Sequence, residues 1–143
     1  MLSTSSNITS LYSAGLGANA TQLLTGPVGT GTLTLANNAS LVTGNNATLV
    51  NPVVFQGSAV FDSASTTAYT LTLNGLLRFA AGGSVNVSVN SPYVTAALQG
   101  VWDFSNITGI NKTGPGNLGI NLSGAPGSLP INFTDSGTLT LFA

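Results

Sequence analysis

The chain has 143 residues, of which two are basic and three acidic, and it contains no histidine, cysteine or glutamate. Two cations cannot supply the positive surface that nucleic-acid binding needs, and without those three residue types the common metal-ligand sets and nucleophile–base pairs are unavailable. The composition therefore excludes most enzymes and nucleic-acid-binding proteins, and it predicts neither a metal nor a small-molecule cofactor.

Residues 1–22 form the first periodic element. Apolar side chains fill most even positions, whereas Ser, Thr, Asn and Gly fill most odd ones, and this alternation predicts a β-strand with one buried face. A strand of about 13 residues is longer than usual and cannot be stable alone, so it must join a sheet. We assign residues 1–22 to an N-terminal tail and residues 23–143 to the main domain.

The main domain contains further alternating segments separated by Gly, Pro and Asn, which are typical of turns. The clearest segments are residues 31–35, 69–73, 85–90, 120–122, 131–133 and 137–141. About seven to nine short strands between turns predict an all-β fold, namely an antiparallel β-sandwich of immunoglobulin-like or jelly-roll type. Trp102 is predicted to be a core residue of that sandwich, with a sugar-binding surface as the alternative.

The chain must be hydrated by groups other than charges, because its formal net charge is only −1. With 43% hydrophobic residues and a mean hydropathy of +0.40, it is expected to form a core rather than to stay disordered. No stretch reaches the roughly 18 apolar residues of a membrane span. Hydroxyl and amide side chains, together with attached sugar, are the expected sources of surface hydration.

Sequons for N-linked glycosylation, Asn-x-Ser/Thr, are the strongest functional signal. They begin at Asn7, Asn19, Asn38, Asn46, Asn86, Asn106, Asn111, Asn121 and Asn132. Asn86, Asn121 and Asn132 each stand between two apolar residues, which predicts an outward position on a strand. We predict that most of these sites carry covalent glycans and that the protein is exported; the alternative is that an Asn- and Thr-rich surface produces sequons by composition.

The carboxylates give no catalytic signal. Asp135-Ser136-Gly137 matches the Asp-Ser-Gly of aspartic proteases, but the same residues are ordinary at a turn between two strands. The spacing of Asp62, Asp103 and Asp135 selects no pair for glycoside hydrolysis. We therefore predict a non-enzymatic protein, and one that is stable in acid because so few groups titrate.

Low charge, Thr/Asn/Gly-rich alternating strands, dense sequons and a strand-like tail together resemble the archaeal surface filaments called threads, from thermoacidophilic Sulfolobales. The resemblance extends over the whole chain and implies donor-strand complementation, in which the tail of one subunit completes the sandwich of its neighbour. Asn7 and Asn19 would then lie on the outward face of the tail, and Leu11 departs from the pattern. The inserted residues would be Ile8, Tyr12, Ala14, Leu16 and Ala18.

Three functional classes follow. The first is an extracellular, N-glycosylated filament subunit that polymerises head to tail with copies of itself and serves adhesion or cell–cell contact. The second is a viral capsid or tail protein. The third is an S-layer-type or glycan-binding module of the cell envelope, whose tail would pack on its own domain. Nucleic acid and a membrane span are not expected in the first class, whereas cell-surface or glycan contacts are.

Overall fold

A computed structural model describes residues 7–12, 20–22, 31–44, 46–63, 65–80 and 82–142, where every helix or strand assigned is a β-strand. All the strand pairs in these ranges are parallel. The strands are β1 (Asn7–Tyr12), β2 (Ala20–Gln22), β3 (Leu33–Thr43), β4 (Ala47–Leu49), β5 (Val53–Phe55), β6 (Ala59–Ser63), β7 (Tyr69–Leu73), β8 (Leu77–Phe79), β9 (Gly83–Val89), β10 (Val94–Leu98), β11 (Trp102–Asp103), β12 (Ile107–Thr113), β13 (Asn117–Asn121), β14 (Ile131–Phe133) and β15 (Leu139–Phe142).

The strands stack into three faces, and each turn as far as β13 adds one strand to each face in the same order, whereas the last turn adds β14 and β15 to two faces only. Face 1 contains residues 33–35 of β3, then β5, β8 and β11. Face 2 contains residues 40–43 of β3, then β6, β9, β12 and β14. Face 3 contains β2, β4, β7, β10, β13 and β15, while β1 pairs with β3 across both its parts.

The prediction of an antiparallel β-sandwich is wrong, because these parallel stacks form a β-solenoid of about four turns. Alternation of apolar and polar residues requires only that each strand has one buried face. It does not say whether the neighbouring strand is the next one along the chain or the one a full turn away. The all-β part of the prediction is confirmed.

Ladders of like side chains fill the space between the three faces. On face 3, Leu49, Leu73, Leu98 and Ile120 are successive register partners, and all four are buried. Burial of one such side chain contributes about 1.5–3 kcal/mol. The repeated ladder therefore supplies hydrophobic stabilisation at every turn, in a chain without cysteine for disulfides.

Aromatic rings form a second ladder on face 1. Phe79 stacks on Phe55 at 4.9 Å and on Trp102 at 5.7 Å between ring centroids, and Trp102 stacks on Phe104 at 5.7 Å. Trp102 is buried, so the prediction that it is a core residue is confirmed. Stacked pairs of this kind add about 0.5–1.5 kcal/mol beyond the area that they bury.

Glycine allows adjacent turns to approach closely where the chain passes from face to face. A Cβ added to Gly100 would lie 1.8 Å from the carbonyl oxygen of Gly75, and one added to Gly114 would lie 2.3 Å from that of Val89. Gly114 also has a φ of 81°, which is costly for other residues. Side chains at these corners would force the stacked turns apart.

Candidate assembly and glycosylation surfaces

An asparagine ladder runs along the outside of face 2. Asn86, Asn111 and Asn132 are register partners on β9, β12 and β14. Asn111 donates from Nδ2 to Oδ1 of Asn86 at 3.0 Å, and Asn132 donates from Nδ2 to Oδ1 of Asn111 at 2.8 Å. Asn111 Nδ2 also reaches Oγ of Ser84 at 3.1 Å. Three predicted glycosylation sites therefore stand on consecutive rungs, about 4.8 Å apart.

The remaining sequons divide between accessible and undescribed positions. Asn38 and Asn106 are exposed between faces 1 and 2, and Asn46 and Asn121 are half-buried. Asn121 donates from Nδ2 to the carbonyl oxygen of Gln99 at 3.1 Å. The backbone of Asn7 lies in β1, while Asn19 lies outside the described residues. Every sequon whose side chain the structure describes is thus at least partly open to solvent.

The predicted donor strand is only partly described. Residues 7–12 form β1, in which Ile8 pairs with Leu35 and Tyr12 with Val42 of the same chain. Ala14, Leu16 and Ala18 lie outside the described residues. Where it is described, the tail therefore continues the stack of its own solenoid.

The last described strands of the solenoid, β14 and β15, expose apolar side chains. Among the described strands, β14 is the last of face 2 and β15 is the last of face 3. Leu141 is 50% exposed, although its register partner Ile120 is fully buried. Phe133 is 44% exposed, although its register partner Lys112 is buried. Within the described residues no strand follows β11 on face 1, and the partly buried Leu122 and Leu129 of the segment after β13 pack on the core. We call the exposed part of this surface, formed by β14 and β15, the open end.

Lys112 is a buried cation just beneath the open end. Its Nζ donates to the carbonyl oxygens of Gly114 and Ser136, the latter at 3.1 Å, and lies 5.1 Å from the ring centre of Phe133. Burial lowers the pKa of Lys112, while the negative charge of Asp135 opposes that shift. The ammonium thus holds the last corner of the chain against the final rung of face 2.

The three carboxylates are dispersed over the described solenoid. Asp62 lies on face 2 and Asp103 on face 1, while Asp135 accepts from the backbone N–H of Gly114 at 2.9 Å between β14 and β15. The Asp-Ser-Gly segment is therefore a corner between two faces, not the hairpin turn expected for a sandwich. No group of three or more potential metal ligands forms within the described ranges.

Sequence reasoning did not find the open end, the buried lysine or the asparagine ladder. Each depends on which residues are one turn apart, and the signal for that is the spacing of similar segments. Residues of β7 and β15 lie in the same row of face 3, because successive register partners lead from one strand to the other. These partners are Leu71, Ala96, Leu118 and Leu139. The 68-residue spacing of these two Leu-Thr-Leu segments is therefore three turns of the solenoid.

Comparison with known protein families, with characterised proteins and with solved structures finds no match to this chain. In the part of the chain that the structure describes, no helix is long and apolar enough to cross a bilayer. The protein is thus a parallel β-solenoid with a filled core, and its two candidate functional surfaces are the open end and the outward-facing sequons.

Proposed function

We propose that this protein is a structural subunit of an extracellular, N-glycosylated filament in which solenoids stack end to end. The observation that carries the proposal is the open end, where Phe133 and Leu141 lie in rows that are buried in the preceding turns. Edge strands with exposed apolar residues are templates for pairing with another chain. A second copy that adds its first strands to β14 and β15 would continue both the hydrogen bonding and the core.

The two ends of the solenoid differ, and this difference favours a linear polymer. β14 and β15 are the last strands at one end, whereas β1 and β2 pair with β3 and β4 at the other. A contact between two different surfaces repeats without closing unless its rotation happens to form a ring. Strand addition supplies affinity through main-chain hydrogen bonds and selectivity through the apolar rows.

The proposal keeps head-to-tail strand addition but changes its form. The donor strand does not fill a groove in a sandwich; instead, the strands of one copy extend the stacks of the next. The outward sequons support an exported surface hydrated by sugar, because the formal charge of −1 supplies little hydration. Adhesion or cell–cell contact is the role proposed for such a filament.

The test compares Leu141→Asp with Thr140→Asp. Both variants add one carboxylate to β15, but Leu141 lies in the inward row and Thr140 is exposed on the outward row. We expect filaments by negative-stain microscopy for the wild-type chain and for T140D, and monomers for L141D.

Two results would contradict the proposal. One is an L141D chain that polymerises as well as T140D. The other is a wild-type chain that forms only monomers, or closed shells or flat sheets of the kind expected for a capsid or S-layer protein.

A further inference from the structure

The outside of face 1 carries an exposed apolar row. Backbone hydrogen bonds of 2.8 Å set Thr32, Pro52, Leu76 and Val101 side by side on successive turns. Leu76 is 50% exposed and Val101 is 67% exposed, and Pro52 is exposed as well. Exposed apolar side chains gathered in one row indicate an interaction surface, whereas isolated ones do not.

A charged pair lies beside this row. Arg78 and Asp103 are register partners on β8 and β11, on the outward side of the sheet. Asp103 accepts from the backbone N–H and the hydroxyl of Ser105, and both bonds go to Oδ1. Arg78 forms no side-chain hydrogen bond or ion pair within the described residues, although its charge helps to lower the pKa of Asp103. Oδ2 of the aspartate and the guanidinium are thus the charged groups that the described part of this face presents.

A shallow cavity lies between the apolar row and the row of Arg78 and Asp103. Its volume is about 320 Å³. Its walls combine apolar and charged side chains, among them Pro52, Val54, Leu76, Arg78 and Asp103. Such a hollow next to protruding Leu76 and Val101 can seat an apolar side chain from an opposing surface.

Glycans would leave the β8 and β11 part of this face open. The sequons whose side chains are described lie on face 2, on face 3 or at the corners, and the Asn7 sequon begins on β1 beside Thr34, at the opposite edge of face 1 from β11. If sugar covers those positions, the rungs of β8 and β11 are left bare. A bare face with an apolar row and both signs of charge fits a protein partner.

We propose that face 1 binds a second copy of this chain, packed face to face about a twofold axis parallel to the strands and midway between the rungs of β8 and β11. That axis places Arg78 of each copy opposite Asp103 of the other, and Leu76 opposite Val101. Packed sheets lie about 10 Å apart, a distance that an arginine and an aspartate can span together. The symmetry makes both ion pairs at once, since a twofold contact is self-complementary.

The face is small, so one pair of subunits binds weakly. Stable interfaces bury about 800 Å² per partner, more than three or four short rungs provide. When solenoids are joined end to end, many such faces act together, and their combined affinity rises by multivalency. Lateral pairing of this kind would bundle two filaments side by side, a property that end stacking alone does not produce.

The experiment measures dimerisation by sedimentation in a Leu141→Asp background, so that end stacking does not contribute. We expect a monomer–dimer equilibrium with a Kd on the order of 100 µM. Arg78→Asp alone places carboxylates against carboxylates, and Asp103→Arg alone places guanidinium groups together. Each should weaken dimerisation at least about tenfold, because opposed like charges repel.

The combined R78D/D103R chain restores opposite charges and should dimerise within about threefold of the parent. Asp62→Arg is the matched control, since Asp62 is another half-buried outward aspartate, on face 2. Leu76→Asp tests the apolar row and should also abolish dimers. The proposal is overturned if the parent is monomeric up to about 1 mM, if the single reversals leave the dimer intact, or if the combined chain stays monomeric while its thermal melt matches the parent.

Discussion

Asn132 donates a hydrogen bond from Nδ2 to Oδ1 of Asn111 at 2.8 Å, although 21 positions separate the two residues. Asn111 in turn donates from its own Nδ2 to Asn86 and Ser84. The glycan of an N-linked sequon is attached through this same nitrogen. The ladder and the sugar therefore compete for one atom.

Glycan occupancy should consequently be lower at Asn111 than at Asn106. Asn106 is exposed, whereas the Asn111 amide is half-buried and makes two bonds through Nδ2. In a glycosylating host, Thr108→Ala removes the Asn106 sequon and should cost one glycan. Thr113→Ala removes the Asn111 sequon and should leave the intact mass unchanged, apart from the substitution. Mass spectrometry of the whole protein reads both outcomes, and a full glycan lost in T113A would disprove the competition.

Phe79→Ala should be among the most destabilising substitutions in the chain. Phe79 is fully buried between Phe55 and Trp102 in the aromatic ladder. Removing its ring leaves a cavity between these two neighbours. We expect a loss of about 3–5 kcal/mol in the free energy of unfolding, measured with urea. Arg78→Ala, one residue away and exposed, is the control and should change it by less than about 0.5 kcal/mol.

Alkaline pH should stabilise the wild-type chain relative to Lys112→Met. Burial lowers the pKa of Lys112 in the folded state, so the unfolded chain binds its proton more tightly. As pH rises through the lowered folded value towards the ordinary 10.5, the folded state is relieved of a buried charge and gains stability. Urea unfolding of both chains at pH 7 and pH 10 measures the difference, which should increase with pH; a decrease would contradict the assignment.

Acid should affect the dilute protein very little. Two hydrogen bonds from Ser105, helped by Arg78, lower the pKa of Asp103 below 3.8. Its contribution to stability is present above 3.8 and is lost as pH falls through the lower folded value. We expect the Tm to fall by less than about 5 °C between pH 7 and pH 2, with Asp103→Asn flattening the lowest part of the curve. A larger fall that D103N does not alter would point to another group.

The existence of the strands was predictable from sequence, but their partners were not. The alternating residues 69–73 and 131–133 lie in β7 and β14, and all but the last of residues 85–90 lie in β9, since a strand with one buried face must alternate. Parallel pairing over a full turn depends on long-range register, and no single segment encodes it. The turns also vary in length, with Leu33 paired to Val53 but Leu77 paired to Trp102, which hides the repeat.

The same distinction applies to the candidate surfaces. The outward position of Asn86 follows from its apolar neighbours, and the structure places it there, exposed. Its contact with Asn111 requires knowledge that residues 25 positions apart share a row. Arg78 and Asp103 are likewise adjacent only in the folded chain. Local pattern therefore predicts which side a residue faces, whereas assembly surfaces arise from residues that the winding brings together.

The number of turns determines the length of the solenoid. Each full turn adds one rung and lengthens the stack by about 4.8 Å. Residues 76–100 span one full turn, because Val101 occupies the position of Leu76 on the next rung. Duplicating them would insert one turn and keep both ends unchanged. Duplication of a short gene segment would thus lengthen the subunit in steps of one turn. The length of the subunit along the solenoid axis is therefore encoded directly by its number of turns.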